Sequence, residues 1–325
     1  MQFLIDEKND NLDLICESLE NIVTNNKFSE LKDNFQEIQL INSISTIFKV
    51  YSAKQKKNYY QYAESVINYI IQNVTPWITP YISEILCNII KNGPVRAQKE
   101  YAYAAIRTLT ETNPNNIKIC MPTLIPIIAS DINDVSANVK NNSAAALELL
   151  LKCSGNGDLD VFIPVVLKGI KNPDTIYDAV ESLASCVFVQ NVEAPALAIT
   201  TPILYRGLTD KKTVTKRLSC TIIDNMCKLI EHPKEILPFY EKLKIQLERA
   251  SDVIADPEAR SVCNRAINTL KGCNTVNEGV KFSKSYEDFN EILIKEFSSQ
   301  SLSVTANDIS YLTMLVTHLC NDHFF

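Results

Sequence analysis

The chain has 325 residues, 46% of them apolar and 22% charged, with a formal net charge of −6. That is a core-forming composition, long enough for two ordinary domains or one elongated one, and its charge argues against non-specific nucleic-acid binding. It has seven glycines, where an average usage of about 7% would give roughly twenty; the deficit excludes folds that need glycine beside phosphates or in sheet turns and leaves helices joined by short polar turns.

The N-terminus, Met1-Gln2-Phe3-Leu4-Ile5-Asp6-Glu7-Lys8, has no basic stretch followed by a long apolar one, so it is not a secretory signal. No run reaches the ~18 apolar residues of a membrane span. Leu12, Cys16, Leu19 and Val23 then predict one helix, and Leu31, Phe35, Ile38, Ile41, Ile44 and Phe48 predict a second. Residues 1–55 read as an irregular cap and the first helix of a repeat.

A repeating pattern follows. An apolar or small residue recurs at a start position and again four, seven, eight and eleven residues later, which is one face of a helix. Tyr62, Val66, Tyr69 and Ile70 give the first copy, ending on a polar Asn73. Gln98, Ala102, Ala105, Ile106 and Leu109 give the second, and Val139, Ser143, Ala146, Leu147 and Leu150 the third. Ile176, Val180, Leu183, Ala184 and Val187 follow, then Thr215, Ser219, Ile222, Ile223 and Met226, then Ala259, Cys263, Ala266, Ile267 and Leu270. Close helix packing is expected to rest on Ala, Ser and Cys in this ridge, so glycine is not needed there. Several copies place a basic residue just after the start: Lys99, Lys140, Lys216 and Arg260.

A proline-marked helix precedes each copy after the first. The marks are Pro76 and Pro80, Pro122 and Pro126, Pro164, Pro202, and Pro238. Proline is expected in the first turn, where its missing N–H would be unpaired anyway. Two helices per unit of about 40 residues, with these marks, is the HEAT pattern. The fold class expected is all-α: a HEAT-repeat α-solenoid of antiparallel helix pairs over 1–272. A polar linker follows at 273–284. Two C-terminal helices are expected over 285–325, carrying Phe289, Leu293 and Phe297, then Ile309, Leu312, Val316 and Leu319. They lack the repeat's marks.

Catalytic chemistry is not visible. His232, His318 and His323 have no partner at metal-ligand spacing, and the ten cysteines form no C-x-x-C pair. They read as buried reduced thiols and as surface or cap histidines. There is no G-x-x-x-x-G-K-[ST], no G-x-G-x-x-G and no G-x-S-x-G. No enzyme, cofactor or metal site is expected. The densest basic patches are Lys54-Gln55-Lys56-Lys57 and the cluster Arg206, Lys211, Lys212, Lys216 and Arg217. The second spans an inter-helix turn and the start of the next helix, which directs its side chains to one edge of the solenoid. It is the candidate contact for phosphate or an acidic partner; the plain alternative is a solvated turn.

Leu204-Tyr205-Arg206-Gly207-Leu208, Ile222-Ile223-Asp224-Asn225-Met226-Cys227-Lys228-Leu229-Ile230, Pro233, Pro238-Phe239 and Ile254-Ala255-Asp256-Pro257-Glu258-Ala259-Arg260 closely resemble the N-terminal HEAT domain of translation elongation factor 3, the fungal-type ATP-binding-cassette elongation factor. Weaker similarity runs back to about residue 98, and the C-terminal helices resemble the opening half of the family's four-helix bundle. The resemblance implies a cytoplasmic, ribosome-associated module acting in translation elongation through small-subunit rRNA and ribosomal proteins. The cassettes that supply the family's ATPase have no counterpart in the 325 residues, so a non-catalytic module is expected. A ribosome-associated scaffold of the general-control translational activator type, and a general protein–protein scaffold, are the alternatives.

Overall fold

A computed structural model describes residues 11–274. Among the described residues there are fifteen α-helices, short 3₁₀ turns and no strand. They fall into two compact units whose described parts are 11–82 and 83–274. The fold is the all-α stack of helix pairs that the repeat implies. The expected linker, apart from its first two residues, and both C-terminal helices lie outside the described residues.

The first unit holds α1 (Leu12–Thr24), α2 (Phe28–Asn34), α3 (Glu37–Phe48) and α4 (Tyr60–Asn73). Asn11 caps α1, its Oδ1 accepting the Asp13 N–H at 3.2 Å. The single helix expected over 31–48 is two. Phe35 is extended, and α3 restarts with the Gln39 side chain accepting the Gln36 N–H at 3.1 Å. Apolar spacing runs unbroken across the gap, so periodicity alone hides it. The first repeat copy also shifts by one residue. Ala63, Ile67, Ile70, Ile71 and Val74 are buried at the template spacing, whereas Tyr62 and Tyr69 are half-buried and Asn73 is exposed. Phe48, Tyr51 and Tyr60 form an edge-to-face chain with centroids 5.3 and 5.1 Å apart.

α5 (Thr79–Asn92) crosses into the second unit, which continues with α6 (Arg96–Thr112), α7 (Ile117–Asp131), α8 (Ala137–Lys152), α9 (Gly157–Asp160), α10 (Ile163–Lys171) and α11 (Ile176–Ala184). It closes with α12 (Ala194–Thr209), α13 (Thr213–Cys227), α14 (Leu237–Val253) and α15 (Pro257–Asn274). Second helices of neighbouring pairs stack, α6 on α8, α11 on α13 and α13 on α15; among the first helices, α12 packs on α10 and α14. The small-residue ridge is buried: Ala102, Ser143, Ala146, Ser219, Ala259, Cys263 and Ala266 have no exposed surface.

Three departures have physical causes. The pair α10–α11 is short, nine residues in each helix. α11 stops at Ala184, so Val187 lies in the following loop and is 78% exposed instead of completing the ridge. With this pair shortened, α12 reaches past it and packs directly on α7. α12 is accordingly buried almost all round, from Pro195 through Thr201 and again at Ile203, Leu204, Gly207 and Leu208.

Proline marks the first turn only in some first helices. Pro164 and Pro238 sit there, but Pro122, Pro126 and Pro202 lie inside α7 and α12. Interior proline removes a ladder hydrogen bond and bends the helix. Glycine, finally, is used for packing after all. A Cβ on Gly207 would lie 2.1 Å from Ser219 Oγ, and one on Gly169 would lie 2.7 Å from Ala179 Cβ.

Candidate functional site

The first helix of each pair ends in a short turn, and antiparallel pairing puts these turns along one edge of the second unit. The five basic residues singled out by the sequence lie at one of these turns and take different roles. Arg206, half-buried on α12, donates from Nη1 to the carbonyls of Gly169 and Ile170, at 3.0 and 2.7 Å. It therefore caps the C-terminus of α10, where unpaired carbonyls and the helix dipole both favour a cation. Lys216 is 8% exposed. Lys211, Lys212 and Arg217 are exposed. The Lys212 ammonium sits 4.8 Å from the centroid of the Tyr177 ring, and Arg217 pairs with Glu258 at 2.6 Å. Both contacts are solvent-facing and worth little, so neither withholds the cation from a stronger partner.

The fold adds what spacing along the chain misses. By anchoring α10, Arg206 brings the exposed Lys168 and Lys171 to the same edge as Lys211 and Lys212. The signal was present as basic residues in the last turn of a first helix, but only the Arg206 contact joins them to the cluster. The edge also holds Asp210, whose Oδ1 accepts the Lys211 N–H at 2.6 Å. Burial pushes the Asp210 carboxyl up, but the nearby Thr215 hydroxyl and bonds from the Lys211 and Lys212 backbone outweigh it and hold it below the usual range.

Arg206→Lys separates anchoring from charge. Lysine keeps the cation, but its shorter side chain falls short of the position from which Arg206 Nη1 meets both carbonyls. Loss of one charge-assisted bond is expected to lower stability by about 1–2 kcal/mol, read by urea denaturation. A variant as stable as the parent would show that the α10 cap carries no energy.

The other basic features serve packing. Lys56 is bonded to Asp13, Lys99 pairs with Asp131 at 2.9 Å, and Arg260 donates twice to the Ile254 carbonyl, at 2.9 and 2.7 Å. Two of the basic residues that recur after the start of the second helix thus hold the end of a first helix: Arg260 caps α14, and Lys99 pairs with the last residue of α7.

The most constrained charge is one that sequence reasoning did not single out. Asp224 on α13 has no exposed side-chain surface. Its Oδ2 accepts from Lys228 Nζ at 2.7 Å and Arg265 Nε at 3.0 Å, and its Oδ1 from Thr269 Oγ1 at 2.6 Å. Arg265 and Thr269 lie on α15, so the carboxylate clasps two stacked helices. Burial alone raises its pKa, but the bonds from Lys228 and Thr269 and the charges of Lys228 and Arg265 prevail and keep it low.

In the small cavity beside Ser154, Asn156 and Gln190 these polar side chains are already bonded to the chain, Ser154 Oγ to Asp160 at 2.8 Å and Gln190 to the Gly157 N–H at 3.0 Å. Among the described residues, no three His, Cys, Asp or Glu side chains are placed to hold a metal ion, and no helix is long and apolar enough to cross a membrane.

Two family models match this chain. One, described as the EF3 N-terminal HEAT repeat, covers residues 5–147; the other, the elongation factor 3/GNC1 HEAT repeat, covers 175–281. Elongation factor 3 of Pneumocystis carinii is 34% identical over 267 residues, 80% of this chain and 25% of the relative. Elongation factor 3 of Phytophthora infestans is 34% identical over 225 residues, 68% of this chain and 22% of the relative. Elongation factor 3A of Saccharomyces cerevisiae is 33% identical over 241 residues, 74% and 23% respectively. The chain thus spans about a quarter of the length of the curated relatives it matches.

Proposed function

This chain carries the HEAT-repeat region of the elongation factor 3 family, and on that premise we propose that it acts in translation elongation as a non-catalytic, cytoplasmic module that docks on the ribosome. The docking surface is the basic edge of Lys168, Lys171, Lys211, Lys212 and Arg217, with Arg206 as its anchor and Lys216 beneath it. The partner chemistry is ribosomal RNA phosphate together with neighbouring small-subunit proteins. The observation that carries the reading is that Arg206, Lys211, Lys212, Lys216 and Arg217 of this edge fall within the 175–281 family match. That model's description names GNC1 beside elongation factor 3, and the ribosome is the partner that both resemblances imply.

The physical case rests on exposure and valence. Exposed ammonium and guanidinium groups held only by weak surface contacts exchange readily onto phosphates, and each contact made releases condensed counterions. The net charge of −6 restricts such binding to a local patch and favours a structured target over bulk nucleic acid.

Co-sedimentation with ribosomes over a salt series tests this. The chain is expected to pellet at low salt and release as salt rises. The triple variant Lys211→Glu, Lys212→Glu, Arg217→Glu is expected to bind more weakly, with the slope of log affinity against log salt flattened by about two to three, at roughly 0.7–0.9 per lost phosphate contact. A chain that stays in the supernatant at low salt would overturn ribosome docking. An unchanged slope would remove this edge from it.

A further inference from the structure

Cys220, Cys227, Cys263 and Cys273 are free thiols, and they meet in pairs across α13 and α15. Cys220 neighbours Cys263, and Cys227 neighbours Cys273. In the second pair the Cys273 thiol donates to the Cys227 carbonyl oxygen at 3.2 Å, which fixes its sulfur beside that residue. The pairs differ in access. Cys220 and Cys263 have no exposed surface, whereas Cys273 is half-buried on the last turn of α15 and Cys227 lies behind it, 3% exposed.

We propose that Cys227 and Cys273 form an oxidisable dithiol, in which hydrogen peroxide or a related hydroperoxide closes a disulfide that ties the end of α13 to the end of α15. The half-buried Cys273 thiolate attacks a peroxide oxygen, breaking the O–O bond and forming Cys273 sulfenic acid and hydroxide. The Cys227 thiol then attacks the sulfenic sulfur; its proton leaves with the sulfenic hydroxyl as water, and the S–S bond forms. Two thiols are oxidised and one peroxide is reduced to two waters. The thiol contact supports this order of events. Donation from Cys227 lowers the Cys273 pKa, while the same contact and burial raise that of Cys227. The nucleophile is therefore the thiol that solvent reaches and the resolving thiol is the one it does not, which is the arrangement of peroxide-sensing cysteines. Cys220 and Cys263 supply an internal control: the same facing contact without access.

Peroxide treatment of the folded full chain, alkylation under native conditions and peptide mass spectrometry decide the matter. The expected product is a Cys227–Cys273 cross-linked peptide, two hydrogens lighter than the reduced pair and reversed by dithiothreitol, with Cys220 and Cys263 alkylated only after unfolding. In Cys227→Ala the Cys273 sulfenic acid loses its resolving partner and should be trapped by dimedone; in Cys273→Ser the cross-link should vanish. Oxidation that leaves Cys227 and Cys273 unlinked, or links Cys220 to Cys263 first, would overturn the proposal. Should Cys227→Ala fail to fold, the wild-type peptide map alone decides.

Discussion

Asp224→Ala is expected to lower the opening free energy of α13 and α15 by about 1–3 kcal/mol, read by native-state hydrogen exchange at those helices. Three donors converge on this carboxylate, and two of them come from a neighbouring helix. Removing it leaves Arg265 without its α13 partner and Thr269 with only the Arg265 carbonyl, at 3.1 Å, so the two helices lose the bonds that join them at this point. Asn should rescue little of the loss. Its amide presents one acceptor and one donor to a site built from donors, so one oxygen must serve three groups. The sign with pH follows from the depressed folded-state pKa. The contribution is present above the unfolded carboxylate value, near 3.9, and is lost as pH falls through the lower folded value. Asp224→Ala should therefore show a shallower loss of stability below about pH 4 than the parent. Equal exchange protection in variant and parent would mean the clasp contributes nothing.

Gly207→Ala is the second large effect, at about 2–3 kcal/mol of destabilisation, even though alanine is the better helix former by about 1 kcal/mol. The added methyl would meet Ser219 Oγ at 2.1 Å and Val180 Cγ2 at 3.1 Å. Ser219 cannot swing away freely, because it has no exposed surface and its hydroxyl donates to the Thr215 carbonyl at 2.9 Å. The helices α12 and α13 must instead move apart. Ser219→Gly in the same chain removes the obstructing atom. The double variant should recover most of the loss, giving a coupling energy of about 1–2 kcal/mol in a double-mutant cycle by urea denaturation. Additive losses would place the strain elsewhere.

Much of the fold was legible because a helix pair repeated every 40 residues or so leaves the same spaced ridge each time. Gln98 to Leu109, Val139 to Leu150, Thr215 to Met226 and Ala259 to Leu270 are buried at every template position. What stayed hidden is what periodicity cannot encode. The break at Phe35 keeps helical spacing across it. The one-residue shift at Ala63 is invisible where Tyr62, Val66, Tyr69 and Ile70 and their neighbours fit two registers. α11 ends at Ala184 although the ridge pattern runs on to Val187. The candidate edge was half legible. Exposure of Lys211, Lys212 and Arg217 follows from a polar turn, but the capping role of Arg206 depends on carbonyls some 36 residues away. Asp224 lies inside the stretch that carries the family resemblance. Its neighbours look like ordinary helix residues until α15 is placed against them.

The contact between α12 and α7 bears on how the chain comes apart. In a solenoid where each repeat touches only its neighbours, stability is a sum of local terms, and any repeat can open once its two flanking interfaces are lost. Here the short pair α10–α11 is spanned by a contact between the pairs on either side of it. Opening that pair leaves α7 and α12 still joined, and releasing α12 strips the cover from α7, α10, α11, α13 and α14 together. The stretch from α7 to α14 should therefore melt as one cooperative block, its amide protons exchanging together, with its shortest pair as guarded as its longest. A pulling experiment would record one tall rupture there in place of a staircase of small ones.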